Sequence, residues 1–405
     1  MLDTITIHYS EIALKRGKRS FFEHMLMQNI KKSLNGLPYN DIRRNLGRIL
    51  VQIDNENIEI YRNVISKVFG VKWFAFAKSV KPRDFDLLID TVIDELHKLQ
   101  PFNTFKIDTT RADKSFPYTS MEVNKKLGSA ISNKFKNKVS MENPEIIVYI
   151  EILNDQFLIY TRKYEGPGGL PVGTSGKVLH LFSGGIDSPV AAWLLMKRGA
   201  LVDYIHFYAA HDANEARQSK VGELIKFLTY FSYKSRAFYV PFHIFHLVAA
   251  SQLDPKLETV IFRRFMVRIA ERLAKMYGYQ AISTGESLAQ VASQTMQNMI
   301  SIAHGIQFQI LRPLLTYDKE EIINLAKRIG TYEISLKECK DACSLISSHP
   351  KTNVTPEEIL DAEQRINIDK LIEKTLNETT IIEYKLSQGR IEERQIVYQE
   401  QHYSS

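Results

Sequence analysis

The run Leu181-Phe182-Ser183-Gly184-Gly185-Ile186-Asp187-Ser188-Pro189 constrains this chain more than any other segment. Val178, Leu179, Leu181 and Phe182 read as a buried strand. Ser183, Gly184 and Gly185 then turn the chain with no bulky side chain in the way. Ser188 reads as an N-cap and Pro189 as the first residue of a helix that continues through Trp193, Leu194 and Leu195. A strand, a glycine turn with free N–H groups and a helix N-terminus with its partial positive charge together make an anion site, phosphate being the usual guest. The structural alternative is a glycine turn that only redirects the chain.

The order S-G-G-x-D-S lacks the Gly-Lys-Ser/Thr that closes a Walker A loop and the G-x-G-x-x-G of dinucleotide folds. It resembles the pyrophosphate loop of enzymes that split ATP into AMP and pyrophosphate to adenylate a substrate. From Lys177 onward the pattern is that of a doubly wound parallel sheet. Strands are expected at 177–182, 202–207, 237–241 and 280–284, and helices at 188–197, 214–230, 257–277 and 319–328. Asp318 with Glu321 makes a capping pair for the last of these. Residues 356–405 read as a charged, partly amphipathic helical extension.

The first half divides into smaller α/β units. Residues 1–78 follow a β-α-β-β-α-β order, the ferredoxin-like pattern, with strand character at Thr4–Tyr9, 48–53 and 71–76 and helical spacing at 21–34 and 58–69. Residues 79–165 look like a second α/β unit, with helices at 86–99 and 120–135 and strands at 105–109, 146–152 and 156–160. Residues 166–176 are the stretch richest in glycine and proline, read either as a flexible linker or as a structured loop, before a third domain at 177–405.

Composition narrows the partners. The chain carries a net charge of +7, of which +6 falls on residues 1–175. Lys15, Arg16, Lys18, Arg19, Lys31, Lys32, Arg43, Arg44 and Arg48 form one concentration and Lys125, Lys126, Lys134, Lys136 and Lys138 another. A basic front half suggests a polyanion such as nucleic acid, the alternative being ordinary decoration of helix faces. No apolar run approaches the ~20 residues of a membrane span, and no signal peptide is read at the N-terminus. Two cysteines in 405 residues argue against a disulfide scaffold and fit a reducing cytoplasm.

Further segments extend the likeness to nearly the whole chain. They are Gly168-Gly169-Leu170-Pro171-Val172-Gly173, Arg263-Arg264-Phe265-Met266, Thr284-Gly285-Glu286-Ser287 through Gln294-Thr295, Leu311-Arg312-Pro313-Leu314 and Gly330-Thr331-Tyr332-Glu333. With the loop at Ser183–Pro189, these resemble the tRNA 4-thiouridine synthetase (tRNA sulfurtransferase) family, in a short form without a C-terminal rhodanese domain. Arg111-Ala112-Asp113-Lys114-Ser115-Phe116-Pro117 looks like part of its THUMP RNA-binding module. The resemblance implies a ferredoxin-like domain, a THUMP domain and an adenylating domain. It also implies a tRNA acceptor end held by the first two, uridine 8 as target, a cysteine desulfurase as sulfur donor, a link to thiamine synthesis and a tendency to dimerise. Its ATP contacts map onto Leu181, Phe182, Ser183, Gly184, Gly185, Ser188, His206, Phe207, Arg263, Gly285 and Gln294. Arg111, Lys114, Lys125 and Lys126 are the expected tRNA contacts. One segment departs from the family: Tyr208-Ala209-Ala210-His211-Asp212 stands where relatives carry Ser-Pro-Pro, which affects the shape of the nucleotide pocket.

The chemistry follows from the leaving group. A uridine carbonyl oxygen leaves poorly, and adenylation converts it to AMP, which sulfur can displace. Loop amides would hold the departing pyrophosphate. Asp187 has two readings: a Mg²⁺ ligand that turns its repulsion of phosphate into attraction, or a brace for the loop. Cys343, in a segment matching the family's persulfide-bearing one, is the expected sulfur carrier; the alternative is a small buried apolar residue. Cys339 is either a resolving thiol or a bystander. Two cysteines cannot supply a three-cysteine iron–sulfur site, so no intrinsic cluster is expected. The competing functions are another adenylating RNA-modification enzyme of the same loop class, which needs no cysteine, and a non-catalytic tRNA-binding or sulfur-relay protein.

Overall fold

A computed structural model describes residues 2–54, 57–81, 83–338, 346 and 351–396. The chain forms two compact units, residues 1–170 and 171–405.

The first unit runs β1 (Thr4–His8), α1 (Arg19–Ser33), β2 (Asp41–Asn45), β3 (Arg48–Gln52), α2 (Ile58–Ile65) and β4 (Trp73–Val80), the expected β-α-β-β-α-β order. It continues with α3 (Phe85–His97), β5 (Thr104–Arg111), α4 (Ser120–Phe135), β6 (Lys138–Val139), β7 (Ile146–Ile152), β8 (Phe157–Tyr160) and β9 (Tyr164–Glu165). All nine strands join one sheet, ordered β2-β3-β1-β4-β8-β7-β5-β6 with β9 also on β4. The sheet's alternation puts Ile5, Ile7, Phe74 and Phe76 into one core with Phe22, Leu26 and Ile30 of α1. Ile107, Val148, Ile150, Phe157 and Ile159 pack with Leu88 of α3 and Leu127 of α4 in a second. On the opposite face, buried Glu151 pairs with Arg48 at 2.7 Å and His8 at 2.8 Å and accepts from Tyr160 Oη at 2.8 Å, tying β1, β3, β7 and β8. β2 has no strand signature in the sequence because exposed and half-exposed Asp41, Arg43 and Arg44 interrupt it.

The second unit begins with β10 (Lys177–Leu181), α5 (Asp187–Lys197), β11 (Leu201–Tyr208), α6 (Ala213–Gln218), α7 (Lys220–Ser232), β12 (Lys234–Pro241), α8 (His243–Gln252), α9 (Pro255–Tyr277) and β13 (Ala281–Ser283). It closes with α10 (Met296–Ala303), β14 (Gln309–Leu311), α11 (Lys319–Ile329), α12 (Tyr332–Ser335), α13 (Pro356–Arg365), α14 (Ile368–Asn377), β15 (Thr380–Ser387) and β16 (Arg390–Ile396). The sheet order is β14-β13-β10-β11-β12-β15-β16. The first five strands are parallel. The order reverses at β10, whose neighbours β13 and β11 lie on opposite sides, so the crevice at the carboxyl ends of these strands is the ligand position for such a sheet. The Asp318–Glu321 capping box forms as expected.

Two expectations are corrected and one open alternative is decided. Of the helical extension expected at 356–405, the described part, 356–396, is helical only over α13 and α14, after which the chain forms a hairpin whose first strand pairs antiparallel with β12. Ile382, Tyr384 and Leu386 point inward and Lys385 outward. Gln388 and Gly389, at φ 47° and 76°, make the two-residue turn that matches strand twist. The helix expected at 214–230 is two, because Ser219 ends α6 and caps α7 through Val221 N–H at 3.2 Å. Gly222 permits that corner, since a Cβ there would lie 1.7 Å from Arg217 O. Finally, residues 166–176 are a structured loop. Gly166 and Gly168 donate to Lys72 O and Val71 O in the first unit, while Gly173, Thr174 and Ser175 all donate to Gly199 O in the second.

Candidate active site

The loop after β10 is built by its two serines. Ser188 Oγ donates to Ser183 O at 2.7 Å and accepts from Ser183 N–H at 3.1 Å, and Gly185 N–H donates to Ser183 Oγ at 3.3 Å. Ser188 is therefore not the N-cap. The helix starts at Asp187, and Ser188 turns back to staple the loop. Among the described residues the N–H groups of Gly184, Ile186 and Asp187 have no partner. These donors, beside a helix N-terminus, form an anion cradle.

Beneath the loop lies His180, fully buried, with Nε2 3.0 Å from Ser188 O. Burial pushes its imidazole down to about 4, so it is neutral at physiological pH. His206, near the end of β11, has its Nδ1 2.9 Å from Phe182 O.

The pocket in front of the loop has a volume of about 320 Å³ and gathers Leu181, Phe182, Ser183, Asp187, Ser188, His206, Phe207, Arg263, Gly285 and Gln294 from four segments. Gly184 and Gly185 belong to the loop itself but do not line the pocket. Phe262, Met266, Val291 and Ile302 add an apolar wall, suited to the face of a purine. Gln294 is buried, and its Oε1 has no hydrogen-bond partner. A buried acceptor left without a donor matches an amino group brought by a ligand. A Cβ on Gly285 would lie 3.0 Å from Ser188 N and Cα, so only glycine lets β13's exit approach the loop this closely.

Five residues to which the sequence reading gives no role complete the arrangement: Lys319, and Thr284, Glu286, Gln290 and Arg312 from the segments that carry the family likeness. Lys319 Nζ donates to Asp187 Oδ1 at 2.6 Å and Gln290 Nε2 to Oδ2 at 3.0 Å. Glu286 accepts from Arg263 Nη1 and Arg312 Nε, each at 2.8 Å, and from Thr284 Oγ1 at 2.9 Å. Burial pushes the Glu286 carboxyl up, but the two guanidiniums and its hydrogen bonds outweigh it and hold it below its ordinary value of 4.5. One carboxylate between two arginines leaves a net positive charge at the pocket wall. Only Glu286 had a local signal, an acid directly after the glycine that ends a strand; the others arrive through space.

The expected tRNA contacts differ in kind. Lys114 and Lys125 are exposed. Lys126 Nζ sits 3.8 Å from the Tyr118 ring centroid. Arg111 instead braces its own loop, donating to Phe116 O at 3.3 Å and Tyr118 O at 3.2 Å. Cys339 and Cys343 lie outside the described residues. Arg264, next to Arg263 in the sequence, is instead buried against Glu363 at 2.9 Å.

Sequence comparison matches residues 173–368 to the family "Thiamine biosynthesis protein (ThiI)", residues 4–75 to its ferredoxin-like domain and residues 88–162 to the THUMP domain. The chain is 40% identical to the probable tRNA sulfurtransferase of Thermoanaerobacter sp. (strain X514) over 92% of its own length and 98% of the relative's. The chain belongs to this family. It is 39% identical to the probable tRNA sulfurtransferase of Coxiella burnetii, over 95% of this chain and all of that one. Among solved structures it resembles a 4-thiouridine synthetase crystallised with RNA and bound ATP, at a TM-score of 0.84 and 33% identity, covering 94% of this chain and 99% of that one. It also resembles PH1313 from Pyrococcus horikoshii, at a TM-score of 0.64 and 27% identity, covering 81% and 99%.

Proposed function

We propose that this chain is an ATP-dependent tRNA sulfurtransferase that converts uridine to 4-thiouridine. The observation that supports it most is the pocket at the ends of β10, β11 and β13, where Ser183, Asp187 and Ser188 of the loop, Arg263 and the orphaned amide oxygen of Gln294 line one cavity. Gln294 Oε1 would accept from the adenine amino group, and the apolar wall would hold the ring. The amides of Gly184, Ile186 and Asp187 and the Arg263 guanidinium would take the β- and γ-phosphates.

In the first step the C4 carbonyl oxygen of uridine 8 attacks the α-phosphorus, the bond to pyrophosphate breaks, and fixed N–H dipoles take up the charge that develops on the leaving group. In the second, the terminal sulfur of a Cys343 persulfide attacks C4 and expels AMP, leaving a C4–S–S–Cys343 link. The Cys339 thiolate attacks the Cys343 sulfur, a Cys339–Cys343 disulfide forms and the thiocarbonyl is released; an external thiol then restores both cysteines. The persulfide would come from a cysteine desulfurase, and the same sulfur could serve thiamine synthesis. Mg²⁺ fits the mouth of the loop, where Asp187 offers one carboxylate and the nucleotide would supply the remaining oxygens; among the described residues no cluster of three acidic, histidine or cysteine side chains could hold a metal alone. The tRNA acceptor end would lie on the basic first unit, with Lys114, Lys125 and Lys126 as phosphate contacts. We place the enzyme in the cytoplasm; no helix of the described residues is long and apolar enough to cross a membrane.

The test is mass spectrometry of tRNA nucleosides from cells lacking the gene, complemented with wild type or Cys343→Ala. Wild type should restore 4-thiouridine and the variant should not. Persistence of 4-thiouridine in the deletion strain, or full rescue by the variant, would overturn the reading. ATP–pyrophosphate exchange with and without tRNA separates it from a non-catalytic binding protein.

A further inference from the structure

A second cavity, of about 630 Å³, opens on the other side of the end of β11, and His206 lines both it and the nucleotide pocket. Its wall includes Tyr208 and Ala210, the residues at which the sequence departs from the family pattern, and Lys220 of α7. Its far rim is Lys337 and Glu338, so Cys339 is the next residue along the chain. Two contacts fix that rim to α7. Lys220 Nζ donates to Ser335 O at 3.0 Å, and Lys337 Nζ pairs with Glu223 at 2.5 Å.

The chemistry of thiolation needs a base in such a place. Its C4 oxygen must reach the α-phosphate from the ATP side, and its C4 carbon must then meet sulfur delivered from the cysteine segment. A base inside a stacked helix can do neither, and enzymes that react on a base draw it out into a pocket. This cavity shares His206 with the nucleotide pocket, and its rim ends at Glu338, the residue that precedes Cys339 in the sequence. Tyr208, buried on its wall, offers a flat apolar surface for a pyrimidine ring. The cavity is roomy enough for a whole nucleotide rather than a base alone.

We propose that this cavity receives the target uracil, with Tyr208 as its stacking wall and with Lys220 and Lys337 fixing residues 335–338 to its rim. The proposal rests on the sulfurtransferase reading and adds to it the position of the nucleobase.

The test uses full-length protein and a tRNA carrying 5-bromouridine at position 8. Ultraviolet crosslinking followed by peptide mapping should place the crosslink on the segment containing His206 and Tyr208. In parallel, Ala210→Trp should fill the cavity. It should cut 4-thiouridine formation on unmodified tRNA at least 50-fold while leaving ATP affinity, in a separate binding measurement, within twofold of wild type. That unchanged affinity also shows that the variant is folded. A crosslink mapped outside the cavity wall, or thiolation by Ala210→Trp at the wild-type rate, would overturn the proposal. If the wild-type protein makes no 4-thiouridine in the same assay, the sulfurtransferase reading itself fails, a result distinct from a misplaced crosslink.

Discussion

Glu286 Oε1 accepts from Arg263 Nη1 at 2.8 Å, while its other oxygen holds Arg312 and Thr284. The carboxylate is buried, so it is worth more as a holder of charge than as an acid. Removing it would leave two guanidiniums facing each other without a counter-charge. Glu286→Ala is expected to lower stability by about 3 kcal/mol or more and to weaken ATP binding, by thermal denaturation and titration. Because the folded carboxyl is held below 4.5, its contribution is complete above that pH and is lost as pH falls through the lower folded value. The variant's deficit should therefore shrink in acid and not in base.

Asp187 tests whether function and stability separate. Its pair with Lys319 is partly exposed on both sides, at 20% and 46% of the side chains, and such pairs are worth about 0–1 kcal/mol. Asp187→Asn should leave the melting temperature nearly unchanged. On the reading of Asp187 as a Mg²⁺ ligand, it should reduce the rate of adenylation by about 100-fold or more, because the cation that would offset the charge developing on pyrophosphate loses its protein carboxylate. ATP–pyrophosphate exchange and calorimetry on the same sample measure the two effects.

His180 gives a pH signature. Its folded imidazole lies at about 4 against an ordinary 6.5. Between those values the unfolded chain takes up a proton that the folded chain refuses, so the native state loses stability as pH falls. His180→Gln keeps a donor for Ser188 O but removes the titration. The stability gap between wild type and variant should narrow by about 2 kcal/mol from pH 7 to pH 5, read from urea unfolding at the two pH values.

Gly285→Ala should act on the loop rather than on the ligand. The added carbon would meet Ser188 backbone atoms at 3.0 Å, and the helix start would have to move. ATP affinity is expected to fall about tenfold, equivalent to about 1.4 kcal/mol, in equilibrium titration, with secondary structure by circular dichroism unchanged.

The parts of the site legible in the sequence were those written as contiguous runs. Ser183 through Ser188, the strand-end pairs 181–182 and 206–207, and Arg263, Gly285 and Gln294 all line the pocket or its loop. Lys319 was not legible, because it meets Asp187 across 132 positions; Gln290 and Arg312 lie in segments that carry the family likeness, but their partners are set by the fold and not by those runs. Ser188 was misread for a different cause. A serine ahead of a helical proline fits a cap locally, but here the helix begins one residue earlier and the hydroxyl folds back on Ser183. The hairpin at β15 and β16 escaped because Glu383, Lys385, Glu392 and Arg394 give a charge density resembling a solvated helix. Its two-residue period and the Gln388-Gly389 turn were the signals available. Parent strands and helices of the first unit followed from hydrophobic spacing, and β2 did not, since its positions are mostly polar.

Strand β4 has a further implication. Its register pairs Trp73 through Ala77 with β1 and Lys78 through Val80 with β8, so one uninterrupted strand belongs to both modules of the first unit. Neither module can swing without tearing ladder bonds from the other. Together they behave as a measuring rod: two points at opposite ends of that sheet keep a fixed separation.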